Sequence, residues 1–284
     1  MAAIAIRGAA HAYDLTPPRP SELVLVFIHG WLLSRQYWHP LIAQLEPQYQ
    51  CLAYDLRGFG DSQSSPAGEN ADYSLQVYAR DLQELLQRLE IERAWLIGHS
   101  LGGSIALWSA ACCPQVMGAI CLNAGGGIYI QEAFERFRTA GRRLVKWRPR
   151  WLHRMPGIDW VFARSMVGQP LARQWGYQRA LDFTRADANA ALGSLLNSTT
   201  EAEVHRLPQL VAQLKQPVYF IAGQQDRVME PRYVRHLASF HRLFRAEGSN
   251  VTELADCGHM AMVERPGAIA QLIDGILAAA QPMA

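Results

Sequence analysis

Five consecutive residues, Gly98-His99-Ser100-Leu101-Gly102, set a serine hydroxyl between two glycines. They follow the apolar run Ala94-Trp95-Leu96-Ile97 and open into Gly103-Ser104-Ile105-Ala106-Leu107-Trp108, which reads as a helix. A serine raised on a tight strand-to-helix turn, with the free N–H groups of the new helix aimed at it, suits nucleophilic attack on a carbonyl group. Gly98 and Gly102 are the structural residues of that elbow, because side chains there would collide with neighbouring backbone. A serine hydroxyl is a weak nucleophile at neutral pH and needs a base, oriented by a third group. Downstream of Ser100 the histidines are His153, His205, His236, His241 and His259. The plain alternative is a chance G-x-S-x-G in a chain with 22 glycines, and the strand–turn–helix setting argues against it.

Short apolar runs at 23–28, 50–54, 94–97, 119–122, 218–222 and 251–254 alternate with amphipathic stretches. That alternation predicts an α/β fold with a mostly parallel central sheet and helices on both faces. Leu75, Tyr78, Leu82, Leu85, Leu86 and Leu89 recur at helical spacing after the N-cap residue Ser74, and 266–280 reads as a closing helix. From the glycine run Gly125-Gly126-Gly127 to Arg206 strand signals vanish and Trp and Arg interleave. The expected organisation is therefore a core of residues 1–124 and 207–284 with a helical cap, or lid, inserted at 125–206. Strand character is expected to resume at Leu207-Pro208.

With these motifs the sequence resembles the α/β-hydrolase superfamily, of serine esterase or lipase type, over nearly the whole chain except the cap. His29-Gly30-Trp31 matches the superfamily's HG motif, and Asp55-Leu56-Arg57-Gly58-Phe59-Gly60-Asp61-Ser62 resembles its D-x-R-G-x-G-x-S turn, a structural landmark. The resemblance implies Trp31 and Leu101 as the backbone N–H donors of an oxyanion hole, with His29 shaping the loop. It also implies the order nucleophile, acid, histidine. Only His259, in Asp256-Cys257-Gly258-His259, sits in a Gly-His loop after a final strand. His153 and His205 lie in the cap, and His236 and His241 on an Arg-rich amphipathic helix are expected at the surface. Asp226 in Gly223-Gln224-Gln225-Asp226 resembles the superfamily's G-x-x-D turn. The rival acid position holds Asn123, which carries no charge, and Asp256 reads as a turn former. The expected triad is Ser100 as nucleophile, His259 as base and then acid, and Asp226 as orienter. Serine at the elbow argues against the haloalkane dehalogenases and epoxide hydrolases, which use a carboxylate there.

Composition narrows the class. The chain has 284 residues, 50% hydrophobic and 18% charged, which excludes a disordered tail, a collagen-like repeat and a small disulfide-stapled module. Its five cysteines have no CxxC or Cys/His ligand spacing, so neither a disulfide frame nor a zinc site is supported, and no metal or organic cofactor is implied. The N-terminal stretch does not read as a signal peptide, and the apolar run 23–28 is far short of the ~20 residues of a membrane-spanning helix, so a soluble, cytoplasmic protein is expected. The net charge of +2 excludes global basicity, but 25 of the 27 bases are Arg. Residues 125–206 carry 13 bases and 7 acids, a net of +6, against −4 for the remainder. There Phe134, Phe137, Trp147, Trp151 and Trp160 alternate with arginines. Two readings stay open: a cap that roofs an apolar pocket and touches an anionic membrane surface, or a mobile lid whose arginines are solvated. An RNA-binding reading is weaker, because no nucleic-acid fold accompanies the Arg-rich stretch. The expected function is hydrolysis of a lipophilic carboxylic ester through an acyl-enzyme. The alternatives are a carbon–carbon hydrolase or lyase of the same superfamily (menaquinone-pathway or ring-fission type), or a slow-turnover ligand receptor.

Overall fold

The computed structural model describes residues 2–64, 71–125 and 131–280; Gly126 and Gly127 of the expected junction, and the side chains of Phe134 and Phe137, lie outside the described residues. Eight strands form one sheet: β1 (Ala2–Ile6), β2 (Ala9–Leu15), β3 (Val24–Ile28), β4 (Gln50–Tyr54), β5 (Ala94–His99), β6 (Val116–Leu122), β7 (Val218–Gly223) and β8 (Val251–Leu254). Their order is β1-β2-β4-β3-β5-β6-β7-β8, parallel from β4 to β8, with β1 and β2 antiparallel at one edge. Half of the residues of the first two strands are alanine, so these strands lack the bulky apolar alternation by which the others declare themselves. Arg7 and Gly8, at φ 47° and 82°, form the two-residue turn that joins them.

Each central strand is buried on both faces and divides its side chains between two cores. Val24, Val26 and Ile28 of β3 enter one, Leu25 and Phe27 the other. The first core is closed by α2 (Leu75–Arg88), α3 (Leu101–Cys112) and α9 (Pro231–Ala238), the second by α1 (His39–Leu45) and α12 (Pro266–Ala280). No helix among the described residues is long and apolar enough to cross a membrane.

Between β6 and β7 the described residues form helices and loops only: α4 (Gln131–Lys146), α5 (Ile158–Phe162), α6 (Arg173–Arg185), α7 (Ala188–Ser198) and α8 (Glu201–Gln213). The expected return of strand character at Leu207-Pro208 is wrong, because both residues lie inside α8. Thr200 caps that helix by accepting a bond from the Glu203 amide, and Val204, Leu207 and Val211 are buried at helical spacing. The cap boundary drawn at 206/207 therefore cuts a continuous helix.

His241 is also not the surface residue expected. It is wholly buried, its Nε2 donating to the Gln216 carbonyl at 3.0 Å while Nδ1 accepts from the Leu243 amide. It is the N-cap of α10 (Arg242–Glu247), a role for which an amphipathic count has no term. His236 is exposed on α9, and His153 and His205 lie in the inserted segment.

The inserted segment is fastened to the core by buried and part-buried polar contacts. Ser34 Oγ donates to Asp182 Oδ2 at 2.8 Å, the Asp187 amide to the Gly58 carbonyl at 2.8 Å, and Trp31 Nε1 to the Ala191 carbonyl at 2.8 Å. Burial pushes the Asp182 carboxyl up to about 7, against the bonds it accepts from Ser34 and Gln178. An acid whose pKa is raised on folding binds protons more tightly in the folded state, so its contribution to stability falls as pH rises from about 4 to about 7. Asp182→Asn keeps an acceptor for Ser34 and removes the titration. Its melting temperature relative to the parent should climb across that window and then level off; parallel melting curves from pH 4 to 8 would contradict this role of Asp182.

Candidate active site

The turn from β5 into α3 is confined to one residue. Ser100 has φ 52° and ψ −116°, a conformation that side-chain-bearing residues rarely adopt. The two flanking glycines are sterically required. A Cβ on Gly98 would be driven into the Gly102 carbonyl, and one on Gly102 into the carbonyl of Ile28 on β3. The elbow is thus pressed against the strand that feeds the Trp31 loop. At the first position of α3, the Leu101 N–H has no intrahelical acceptor.

Asp226 stands just beyond β7 and all four of its acceptor directions are used. Oδ1 accepts from the amides of Val228 (2.8 Å) and Met229 (2.9 Å), Oδ2 from His259 Nδ1 (2.7 Å) and Asn123 Nδ2 (2.6 Å). Burial disfavours the charge on Asp226, but His259 and these donors outweigh it and hold the carboxyl below its usual range. An ionised Asp226 can only accept, so His259 carries its proton on Nδ1 and leaves Nε2 as the basic ring atom. Asp256 lies elsewhere in the loop, at φ 50°, and accepts from Gln225 Nε2 at 3.2 Å. Asn123 holds the acid by donating to it, beyond the uncharged rival position foreseen for it.

The loop that carries His259 is tied down by its own backbone. Glu264 accepts from the amides of Gly258 (2.9 Å), Met260 (2.9 Å) and, in the inserted segment, Gly168 (2.7 Å), while the His259 amide donates to the Met166 carbonyl at 2.8 Å. Sequence reading missed Glu264, because a carboxylate that binds only amides leaves no residue-type pattern. His29 is fully buried; its Nε2 accepts from the Leu56 amide at 2.9 Å and its Nδ1 lies 2.8 Å from the Gly30 carbonyl. It joins the loop after β3 to the 55–62 turn and stays out of the cavity.

Ser100 and His259 share the wall of a cavity of about 750 Å3 with Trp31 and Leu101. Most of the remaining wall is apolar, including Leu32, Leu152, Phe162, Phe183, Leu195 and Met229. Two buried or part-buried arginines also reach it. Arg148 donates to the carbonyls of Phe183 (2.8 Å) and Ala186 (2.6 Å), and Arg179 to those of Phe162 (2.5 Å) and Ser165 (2.7 Å). Burial lowers both guanidinium pKa values, Arg148 being partly offset by Asp187 and Arg179 by Tyr37 and Glu264.

The family model described as alpha/beta hydrolase family matches residues 25–272. The chain belongs to this family. A 2-succinyl-6-hydroxy-2,4-cyclohexadiene-1-carboxylate synthase of Yersinia pseudotuberculosis is 32% identical over 250 residues, covering 87% of this chain and 84% of that protein. An uncharacterized protein of Mycobacterium tuberculosis is 27% identical over 98% of this chain and 81% of its own length. Among solved structures, a thermophilic esterase from Thermogutta terrifontis superposes with a TM-score of 0.79 over 99% of both chains, at 21% identity. That likeness is one of fold.

In this α/β hydrolase the residue before the serine binds the loops together. His99 is buried, its Nε2 donates to the His259 carbonyl at 2.7 Å, and the two rings lie 4.8 Å apart. A Cβ on Gly30 would come within 2.7 Å of its Nδ1, so the HG glycine is needed to make room for it. Burial, then the neighbouring His259, push the His99 pKa down to about 3, which keeps the ring neutral. The histidine was visible within the pentapeptide, but its partner lies 160 residues away.

Two substitutions test this geometry. Ser100→Gly removes the hydroxyl and should stabilise the fold by about 1 kcal/mol, the release of roughly 1–3 kcal/mol of backbone strain less the entropy cost of glycine; a lower unfolding midpoint in urea would contradict the strain. His99→Phe keeps the ring volume but strands the His259 carbonyl, and should slow labelling of Ser100 by a fluorophosphonate about 10²-fold. His99→Gln, which retains a donor, should restore most of that rate; equal rates in both variants would remove His99 from the positioning of His259.

Proposed function

We propose that this protein is a serine hydrolase of lipophilic carboxylic esters that works through an acyl-enzyme. The observation that carries the reading is the cavity: Ser100 and His259 lie in a wall that is otherwise mostly apolar. Ser100 Oγ attacks the ester carbonyl carbon while His259 Nε2 takes the hydroxyl proton. The amides of Trp31 and Leu101 hold the oxyanion of the tetrahedral intermediate. His259 then gives its proton to the departing alcohol oxygen. Water, deprotonated by the same ring, splits the acyl–Ser100 ester and restores the enzyme. Asp226 fixes the Nδ1–H tautomer and balances the imidazolium charge at each proton transfer.

A second reading has its own observation. The Yersinia relative is named a synthase, and elimination from an anionic substrate would use the same base beside cationic cap residues. Arg148 and Arg179 line the cavity, yet each donates to two cap carbonyls. Guanidinium groups engaged in this way hold the roof together, which weighs towards an uncharged acyl chain in the cavity.

A series of p-nitrophenyl esters from acetate to laurate, run beside a prenyl ester, separates the readings. The expected kcat/KM rises about two- to fourfold per methylene until the cavity is filled. Ser100→Ala should lower kcat by about 10⁴-fold or more and Asp226→Asn by about 10⁴-fold, and the double variant should fall little further, because the residues act as one unit. Activity confined to acetate, or indifferent to Ser100, would overturn the ester reading.

A further inference from the structure

Ten large hydrophobic side chains stand exposed among the described residues, and eight of them fall within residues 144–177 of the inserted segment. Trp147 is 78% exposed, Trp151 58% and Trp160 51%, far beyond what scattered surface apolar residues need. Leu144, Trp147 and Met166 are exposed and also line the cavity, so they form its rim. The cavity that holds Ser100 therefore opens through the most apolar part of the exposed surface.

The charge of the same stretch is one-sided. Residues 142–177 contain eight bases and one acid, a net of +7 in a chain whose total is +2. The single acid, Asp159, is engaged by Arg173 at 2.6 Å. Arg142, Arg143, Lys146, Arg150, Arg154 and Arg164 are exposed, and Arg164 lies over the Trp160 ring at 4.1 Å from its centroid. Indole rings beside guanidinium groups match the two layers of a bilayer surface, the rings at the level of the glycerol backbone and the cations against lipid phosphates.

We infer that the face formed by residues 142–177 docks on anionic lipid bilayers and sets the cavity mouth against the membrane. A protein partner would be expected to answer an apolar patch with shape and paired polar groups, whereas a fluid anionic surface needs only exposed rings and excess positive charge. Docking rests on this surface alone. Its use, delivery of a membrane-dissolved substrate to Ser100 without passage through water, rests on the ester reading above.

The test measures binding and needs no turnover. Full-length protein is floated on sucrose gradients with vesicles of phosphatidylcholine alone, or with about one-third phosphatidylglycerol, at low and high salt. The protein should float with the anionic vesicles at low salt, less so at high salt, and little with phosphatidylcholine alone. Trp151→Ser with Trp160→Ser, and separately Arg150→Gln with Arg154→Gln, should each weaken partitioning at least about tenfold, with melting temperatures confirming that the exposed substitutions leave the fold intact. Ser100→Ala should float like the parent, so a failed ester reading leaves this result standing. Absence of flotation at low salt, flotation indifferent to both pairs of substitutions, or concentration-dependent dimerisation through the tryptophans without vesicle binding would each overturn the inference.

Discussion

Between β5 and α3 the chain reverses direction at a single residue, and everything at the site is arranged around the space this requires. Ser100 takes up the reversal at positive φ. Gly98 and Gly102 let α3 approach β5 and β3 so closely that neither tolerates a methyl group. Such strain persists only where the surroundings over-determine it. Here they are the doubly buried parallel strands, whose alternating side chains fill two cores and leave the elbow no freedom to relax. The serine is presented by the packing of the sheet, and the Trp31 loop and the start of α3 reach the same cavity because β3 and β5 lie side by side.

His99 links this constraint to the other loops of the site. Its ring sits against Gly30 on one side and the His259 loop on the other, with its one N–H spent on the His259 carbonyl. Glu264 binds three amides around that loop, one of them from the inserted segment, and Met166 of the same segment accepts from His259. Residues 166–168 of the inserted segment and the His259 loop are therefore joined by direct hydrogen bonds.

The parts of the fold that were legible in the sequence are those with strong local signals. Buried strands such as 24–28 read as unbroken apolar runs, and the glycine spacing of the elbow has few uses other than a strained turn. The histidine and acid loops could be placed because each follows a strand. The edge strands β1 and β2 were not foreseen, since alanine-rich segments carry little apolar alternation. Leu207-Pro208 misled because a proline that ordinarily ends helices is tolerated in α8, where Val204, Leu207 and Val211 bury the helix face. His241, Asn123, Glu264 and His99 were misjudged or missed for one shared reason: each acts through hydrogen bonds to partners that only the tertiary fold supplies. The net charge likewise averaged a strongly basic segment against an acidic remainder.

The central claim is that the strained Ser100 becomes covalently acylated, with His259 as the proton carrier. Rapid acid quench of the enzyme with a medium-chain p-nitrophenyl ester, followed by peptide mass spectrometry, tests it directly. The prediction is an acyl mass on the peptide containing Ser100, formed within the first turnover and absent from Ser100→Ala. Turnover with no acyl group on Ser100, or with the acyl group on another residue such as the exposed Cys112, would contradict it.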